Sequence, residues 1–557
     1  MRKMFRNYVT ALILIAFVVT GTVAVGAAAQ PAFAAAKPAL AAKKITMDAG
    51  MQATLRVKHP GKKIKWISDN PFLVEIIKTK GKFHQTAVLR AADKSGTCVI
   101  RAKAGKKLLK CTVTVNFDPN AKIEIRDISD TSVDLTKGLS QGEPVTADPA
   151  SDEGKIFNEA AADFAVKLMQ QTLSQEAAKA QAQGSGNTGE PVNVLISPQS
   201  VMTALAMTGN GAANGTLSAM EKTLAGTAAN GQPRLTEEKF DQYLSLMNKR
   251  LTSIDPQHVI YTEANSIWAR KDYVDVKQSF LQKNKDRHNA SFYEAPFDAQ
   301  TVADINNWVY NNTRNMIDKI ISELSEDCRM ILINTIAFEG KWAEPFYDGQ
   351  VDDKGIFTTA SGTKQDAVML KGYMHSDAKP YIQVAGGDGF VRNYVGGEIA
   401  FVGILPPEGT SVDKFVAGLS GQDFIKAWAE RSDVYDVDMK LPEFKLDYFT
   451  SMTDPLKAMG MGVAFTDFAD FSEMIIPTAK TEAAKISDVL HKTHIELDRN
   501  GTKAAAVTAV IVDKATSIGP GNPPPVKQVY LDKPFVYALV DTETGIPIFL
   551  GTMNSMK

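Results

Sequence analysis

Apolar residues recur with two different periods along this chain, and the change of period divides it. Over 44–116 they alternate with polar residues in short runs (53–57, 64–67, 87–90, 97–102 and 108–115) separated by Gly, Pro and Asn. Successive side chains of a strand point to opposite faces, so this pattern predicts half-buried strands and a small all-β sandwich. Residues 117–152 are rich in Asp, Ser, Thr and Pro and read as a linker. Near Phe157 the spacing becomes helical, with Phe157, Ala161, Phe164, Ala165, Leu168 and Thr172 on one face. The Ala/Gln/Gly/Ser stretch 175–189 reads as a surface loop. From Val192 onward helical and strand patterns mix without regular βαβ alternation, which predicts an α+β fold over 153–557.

The N-terminus fits neither period. Arg2, Lys3 and Arg6 precede an apolar run from Tyr8 to Val25, and Ala-rich residues end in Ala32-Phe33-Ala34. A basic start, an apolar middle and an A-x-A end read as a secretory signal over 1–34. A retained membrane anchor is the alternative, because the run approaches spanning length. No cysteine lies near the cleavage point, which argues against a lipid anchor. The expectation is a secreted, extracellular protein, with association to the cell surface left open.

At 557 residues the chain exceeds one ordinary core. Its 62 Lys and Arg against 63 Asp and Glu leave a net charge of -1, which gives no footprint for nucleic acid. With three cysteines it is no disulfide scaffold. Cys98 and Cys111 flank a turn at 104–107 and fall diagonally on one sheet face, so a bridge and two buried thiols both remain open. Cys328 reads as a core residue.

Candidate chemistry is sparse. The seven histidines, His59, His84, His258, His288, His375, His491 and His494, form no metal spacing. There is no G-x-S-x-G elbow, Walker loop or G-x-G-x-x-G. His491 and His494 are three apart in a β-patterned run, so they point to opposite faces and cannot share a metal. No cofactor and no enzymatic activity are expected, and a hydrolase ranks far behind other readings.

Several segments carry a resemblance. Asn193-Val194-Leu195-Ile196-Ser197-Pro198-Gln199-Ser200 runs into ALAMTGNGAANGTLSAMEKTL. Ile305-Asn306-Asn307-Trp308-Val309 with Thr313 follows, then Ile333-Asn334-Thr335-Ile336-Ala337-Phe338-Glu339-Gly340-Lys341-Trp342 closing with Pro345-Phe346. Leu441-Pro442-Glu443-Phe444, Ala469-Asp470-Phe471-Ser472, Val489-Leu490-His491-Lys492, Lys533-Pro534-Phe535 and Phe549-Leu550-Gly551 complete the series. In this order they resemble the serpin family of protease inhibitors, here of an exported bacterial type. The resemblance implies the serpin fold over 153–557, with three β-sheets, about nine helices and an exposed reactive loop. KKIKWISDNPFLVEI and SGTCVIRAKAGKKLLKCTVTV resemble bacterial Ig-like domains, which implies a spacer or adhesive module over 44–116. Its lysines (Lys58, Lys62, Lys63, Lys65, Lys106, Lys107 and Lys110) fit either contact with an anionic cell wall or a merely solvated face.

The family mechanism implied is that of a suicide substrate. A protease cleaves the loop, is acylated, and is trapped when the loop's N-terminal half inserts as a central strand. The partners implied are serine proteases, with cysteine proteases as a second class, for a monomeric inhibitor. Residues 501–513 suit that fate on their own chemistry. Thr502, Ala504, Ala506, Thr508, Val510 and Val512 share one uncharged face, and the charges of Lys503 and Asp513 fall on the other. A charge buried unpaired would stall insertion, and there is no Pro to interrupt a central strand. Gly501 serves as the hinge, and Ala504, Ala505 and Ala506 enter with little bulk. Arg499 departs from the family's usual Glu, which implies a lost or reversed salt bridge and a looser loop root.

Family spacing from Arg499 puts the scissile bond at Ala515-Thr516, which suits an elastase-like or subtilisin-like protease. A count one shorter gives Lys514-Ala515 and a trypsin-like one. Ser197, Ser200, Asn334 and His491 match the polar cluster under the parting strands, and Trp342 matches the aromatic where insertion begins. A non-inhibitory serpin serving as a binding protein is the alternative.

Overall fold

In the computed structural model the described residues are 37–48, 51–71, 73–91, 96–116, 125–142, 145–182, 191–256, 259–271, 275–476, 484–502 and 523–556. The signal segment 1–34 and His258 lie outside them. Among the described residues no helix is long and apolar enough to cross a membrane.

The alternating N-terminal runs form two four-stranded sheets. One has the order Ala39–Leu40, Gln52–Lys58, Thr86–Ala91, Val74–Lys80, and the other Lys44–Asp48, Lys107–Asn116, Gly96–Ala104, Ile64–Ser68. Their inward residues share one core, with Leu55 and Leu89 against Ile100 and Val113. The strand Val74–Lys80 escapes the alternation pattern because its register shifts between Ile76 and Lys78. Cys98 lies opposite Val113 and Cys111 opposite Ile100, so the two sulfurs are diagonal. All three cysteines are buried free thiols.

The rest of the described chain holds nine α-helices and three large sheets of seven, six and four strands. The helix α1 (Asp152–Ala182) carries the predicted apolar face, burying Phe157, Ala161, Phe164, Ala165, Leu168 and Thr172. It runs on through residues 175–182, which composition assigns to a loop. Ala, Gln and Lys are strong helix formers, and the end is tied down where Tyr448 Oη donates to Glu176 at 3.0 Å and Gln175 to the Ser451 carbonyl at 3.4 Å. The helix α2 (Pro198–Gly209) is buried along its whole length.

The large sheet positions the site. Its strands are β1 (Val133–Asp134), β2 (Val259–Arg270), β3 (Ser291–Ala295), β4 (Met330–Lys341), β5 (Phe444–Ser451), β6 (Asp488–Asp498) and β7 (Gly501–Thr502), in the spatial order β5-β6-β7-β4-β2-β3-β1. β1 belongs to the segment expected as a linker. Residues 125–142 instead form a strap along the sheet edge and the helix α3 (Ala299–Asn312). Ser129 and Ser132 donate their hydroxyls to Asp304, the Arg126 guanidinium lies 3.4 Å from the centre of the Tyr310 ring, and Leu135 and Leu139 pack on the core. Composition misleads here because the polar side chains find protein partners instead of water.

The thiol geometry sets one expected outcome. Titration of the denatured, unreduced protein should return three free thiols per chain, and a lower count would show a Cys98–Cys111 bridge.

Candidate functional site

β4 and β6 are parallel neighbours, paired from Ile331 opposite Asp488 to Thr335 opposite Lys492. Above that they part. At the top, β7 is the return arm of a hairpin that turns at Arg499 and Asn500. Thr502 lies opposite both Gly340 and Leu497, and Gly501 opposite both Lys341 and Asp498. Between the two pairings, no β-register joins 336–339 to 493–496 among the described residues. The large sheet therefore has one seam, held at its foot and plugged at its mouth.

The foot is built from four of the residues picked out in sequence. Ser197 caps α2, accepting from the Ser200 N–H at 3.3 Å and donating its hydroxyl to the Ile548 carbonyl at 2.8 Å. The Ser197 N–H donates to His491 Nε2 at 3.0 Å. The Asn334 amide exchanges hydrogen bonds with the Ser200 hydroxyl and carbonyl, and its Nδ2 donates to Asn265 Oδ1 at 2.7 Å. Thr493 donates to the Leu195 carbonyl at 2.8 Å. Burial pushes the His491 pKa down to about 3, so the imidazole is neutral. His494 faces the other way and pairs with Asp447 at 2.7 Å.

The mouth is aromatic. Trp342, fully enclosed, donates its backbone N–H to the Asn500 carbonyl and its indole N–H to the Asp498 carbonyl, both at 2.9 Å. Tyr394 stacks on it with ring centres 4.6 Å apart and planes 14° from parallel. The Tyr394 hydroxyl lies 2.6 Å from the Thr502 hydroxyl, both buried. The hinge position requires glycine: Gly501 has φ +150°, and a Cβ there would stand 2.0 Å from the Gly340 carbonyl oxygen.

Arg499 is not a loose root. Its Nε and Nη2 grip the Glu443 carboxylate at 2.9 and 3.3 Å, and its own N–H adds a third bond at 3.0 Å. The sign is reversed relative to a Glu at 499, and Glu443 supplies the complement. Burial dominates and leaves the Glu443 carboxyl raised, with the two-pronged contact with the guanidinium offsetting part of that rise. We assign a charged pair, since three donors converge on one carboxylate.

Of the residues picked out in sequence, Ser197, Ser200, Asn334 and His491 meet at the foot, and Trp342, Gly501 and Thr502 at the mouth. Lys503, Ala504, Ala505, Ala506, Thr508, Val510, Val512, Lys514, Ala515 and Thr516 lie outside the described residues. Sequence reasoning missed the roles of Asn265, Tyr394 and Glu443. Asn265 sits in the polar middle of its strand beside Glu263 and Ser266, and neither it nor Tyr394 stood out in sequence.

A model of the serpin family (serine protease inhibitor) matches residues 159–556. Among solved structures, the thermophilic serpin tengpin in its native state is similar at TM-score 0.64 and 35% identity, over 76% of this chain and 100% of that one. Iripin-8 of Ixodes ricinus is 28% identical over 375 residues, 66% of this chain and 89% of its own length. A thyroxine-binding globulin bound to thyroxine shares the fold at TM-score 0.59 with 21% identity, covering 72% of this chain and 99% of that one.

Two outcomes follow from these contacts. Arg499→Ala leaves a buried carboxylate unpaired and should lower stability by about 3 kcal/mol, read as faster heat inactivation and more polymer on native gels. The exchange Arg499→Glu with Glu443→Arg should recover most of the loss. The second concerns pH. The His491 folded-state pKa of about 3 lies below its unfolded value, so the unfolded chain binds the proton first and stability falls as pH drops from about 6.5 towards 3. At pH 5 this contribution is about 2 kcal/mol. Thermal unfolding of His491→Asn should be flatter between pH 7 and 5 than that of the unaltered protein, and parallel curves would contradict the assignment.

Proposed function

The chain belongs to the serpin family, and on that premise we propose that it is an exported inhibitor of serine proteases acting as a suicide substrate. The observation that carries this reading is the seam: two central strands parted along 336–339 and 493–496, with the loop's first residues, Gly501 and Thr502, already paired into its mouth. Serpins are in general protease inhibitors and not enzymes.

In the proposed reaction the protease's serine oxygen attacks the Ala515 carbonyl. An ester forms, the bond to Thr516 breaks, and the freed amine takes the proton. The strand then extends from Thr502 down the seam before water can cleave the ester. Each step inward adds a ladder on both sides and buries one small uncharged residue from the set Thr502 to Val512. Ala515 favours an elastase-like or subtilisin-like target; Lys514-Ala515 and a trypsin-like target form the second choice. The neutral hydrogen bonds at the foot suit this role, because they can part and re-form around a new strand without exposing a charge. Under the same reading, the N-terminal pair of sheets is an Ig-like spacer carrying the inhibitor outside the cell.

Incubation with pancreatic elastase, subtilisin and trypsin tests the reading. The expected result is a protease complex that survives SDS, with a C-terminal fragment whose mass begins at Thr516. Clean cleavage with full protease activity retained would favour the non-inhibitory alternative. Thr502→Arg places a cation in a site that is 1% exposed, and should raise the stoichiometry of inhibition by more than about tenfold.

A further inference from the structure

We propose that Tyr394 is the positioning residue that fixes the register of the inserting strand, by holding the Thr502 hydroxyl on the inward face of the seam. This rests on the inhibitory reading above.

Register matters unusually in this segment. A slip of one residue turns every side chain to the other face of the sheet. In register, the inward set begins with Thr502 and carries no charge; out of register, it begins with Lys503. Something must choose between the two before insertion starts. The turn at Arg499 and Asn500 sets the register where the chain enters, but the backbone ladder alone does not hold it as the strand lengthens. A side-chain contact does.

Among the described residues the geometry supplies one such contact. The Tyr394 hydroxyl meets Thr502 Oγ1 at 2.6 Å, and both residues are buried. The phenol cannot follow a slipped strand. Its ring is stacked on Trp342 at 4.6 Å and meets Phe338 edge-on at 4.9 Å. It also lies so close over β4 that a Cβ at Gly340 would touch its Cδ1 at 2.8 Å. Trp342 is in turn fixed by bonds to the Asp498 and Asn500 carbonyls of the hairpin that delivers Thr502. The hydroxyl is thus held by the same aromatic wall that seats the turn, and only an inward hydroxyl at 502 can reach it.

The test is a double-mutant cycle on Tyr394→Phe and Thr502→Val, read as stoichiometry of inhibition and association rate against whichever protease the unaltered chain traps. Each single change should raise the stoichiometry about fivefold, the effect of losing one buried hydrogen bond, with the association rate unchanged. The double variant should be no worse than the poorer single, and Thr502→Ser, which keeps the hydroxyl, should match the unaltered chain. A purely structural tyrosine would lower heat stability and leave stoichiometry alone, which would overturn the proposal; so would additive effects in the cycle. Amide exchange across 499–502 in the uncleaved chain gives a readout free of any protease. Faster exchange in Tyr394→Phe is expected, and equal exchange would sink the pin even where trapping itself succeeds. If no protease is trapped by the unaltered chain, the inhibitory reading fails, and the exchange result still judges the contact between Tyr394 and Thr502.

Discussion

One constraint organises this molecule under the proposed mechanism: a large sheet stays closed along a single seam that would have to admit a further strand. Ordinary sheets are not built this way, because a strand edge left unpaired inside a fold forfeits hydrogen bonds. Here β4 and β6 share five residue pairs at the foot and no register above, among the described residues. The tie at the foot is made from neutral groups: three hydroxyls, two amides and an imidazole kept uncharged by its burial. Each such bond contributes about 1 kcal/mol net, enough collectively to hold the strands together and little enough to be exchanged.

The tie at the foot carries no charge, while Glu339 and Glu496 on the parted strands pair with Arg314 at 3.7 Å and Lys445 at 3.9 Å. The strong pair, Arg499 with Glu443, grips the outside of the turn that leads into β7. A buried ion pair is costly to open, because each partner is left unsolvated. Placed at the turn, it anchors the loop's root, and under the proposed mechanism it would not have to break. The reversal of sign at 499 looks like a defect from one residue alone. With Glu443 beside it, the electrostatics are those of an intact pair.

The strap at 125–142 shows where composition misleads. Ser129, Ser132 and Asp304 are all residues that sequence rules assign to solvent, yet together they satisfy one another on the face of α3. The same failure affects residues 175–182, where low complexity suggested a loop but helix propensity and contacts to Tyr448 and Ser451 prevailed. In both cases the deciding partners lie far away in sequence, so no local window contains them.

What the sequence carried by itself was the alternation of uncharged residues from Thr502 to Val512, the reading of Gly501 as a hinge, the strands of the N-terminal sheets that alternate cleanly, and the ordered motifs placing Ser197, Ser200, Asn334, His491 and Trp342. These are matters of local chemistry and spacing, fixed by side-chain period and by backbone sterics. Tertiary structure alone decided that Thr502 is already seated, that Tyr394 is what it meets, that Asn265 completes the foot, and that Glu443 answers Arg499. The last three join residues separated by 56 to 108 positions. Such contacts arise from packing three-dimensional surfaces, and a hydroxyl or carboxylate gives no sign in sequence of which distant group will satisfy it.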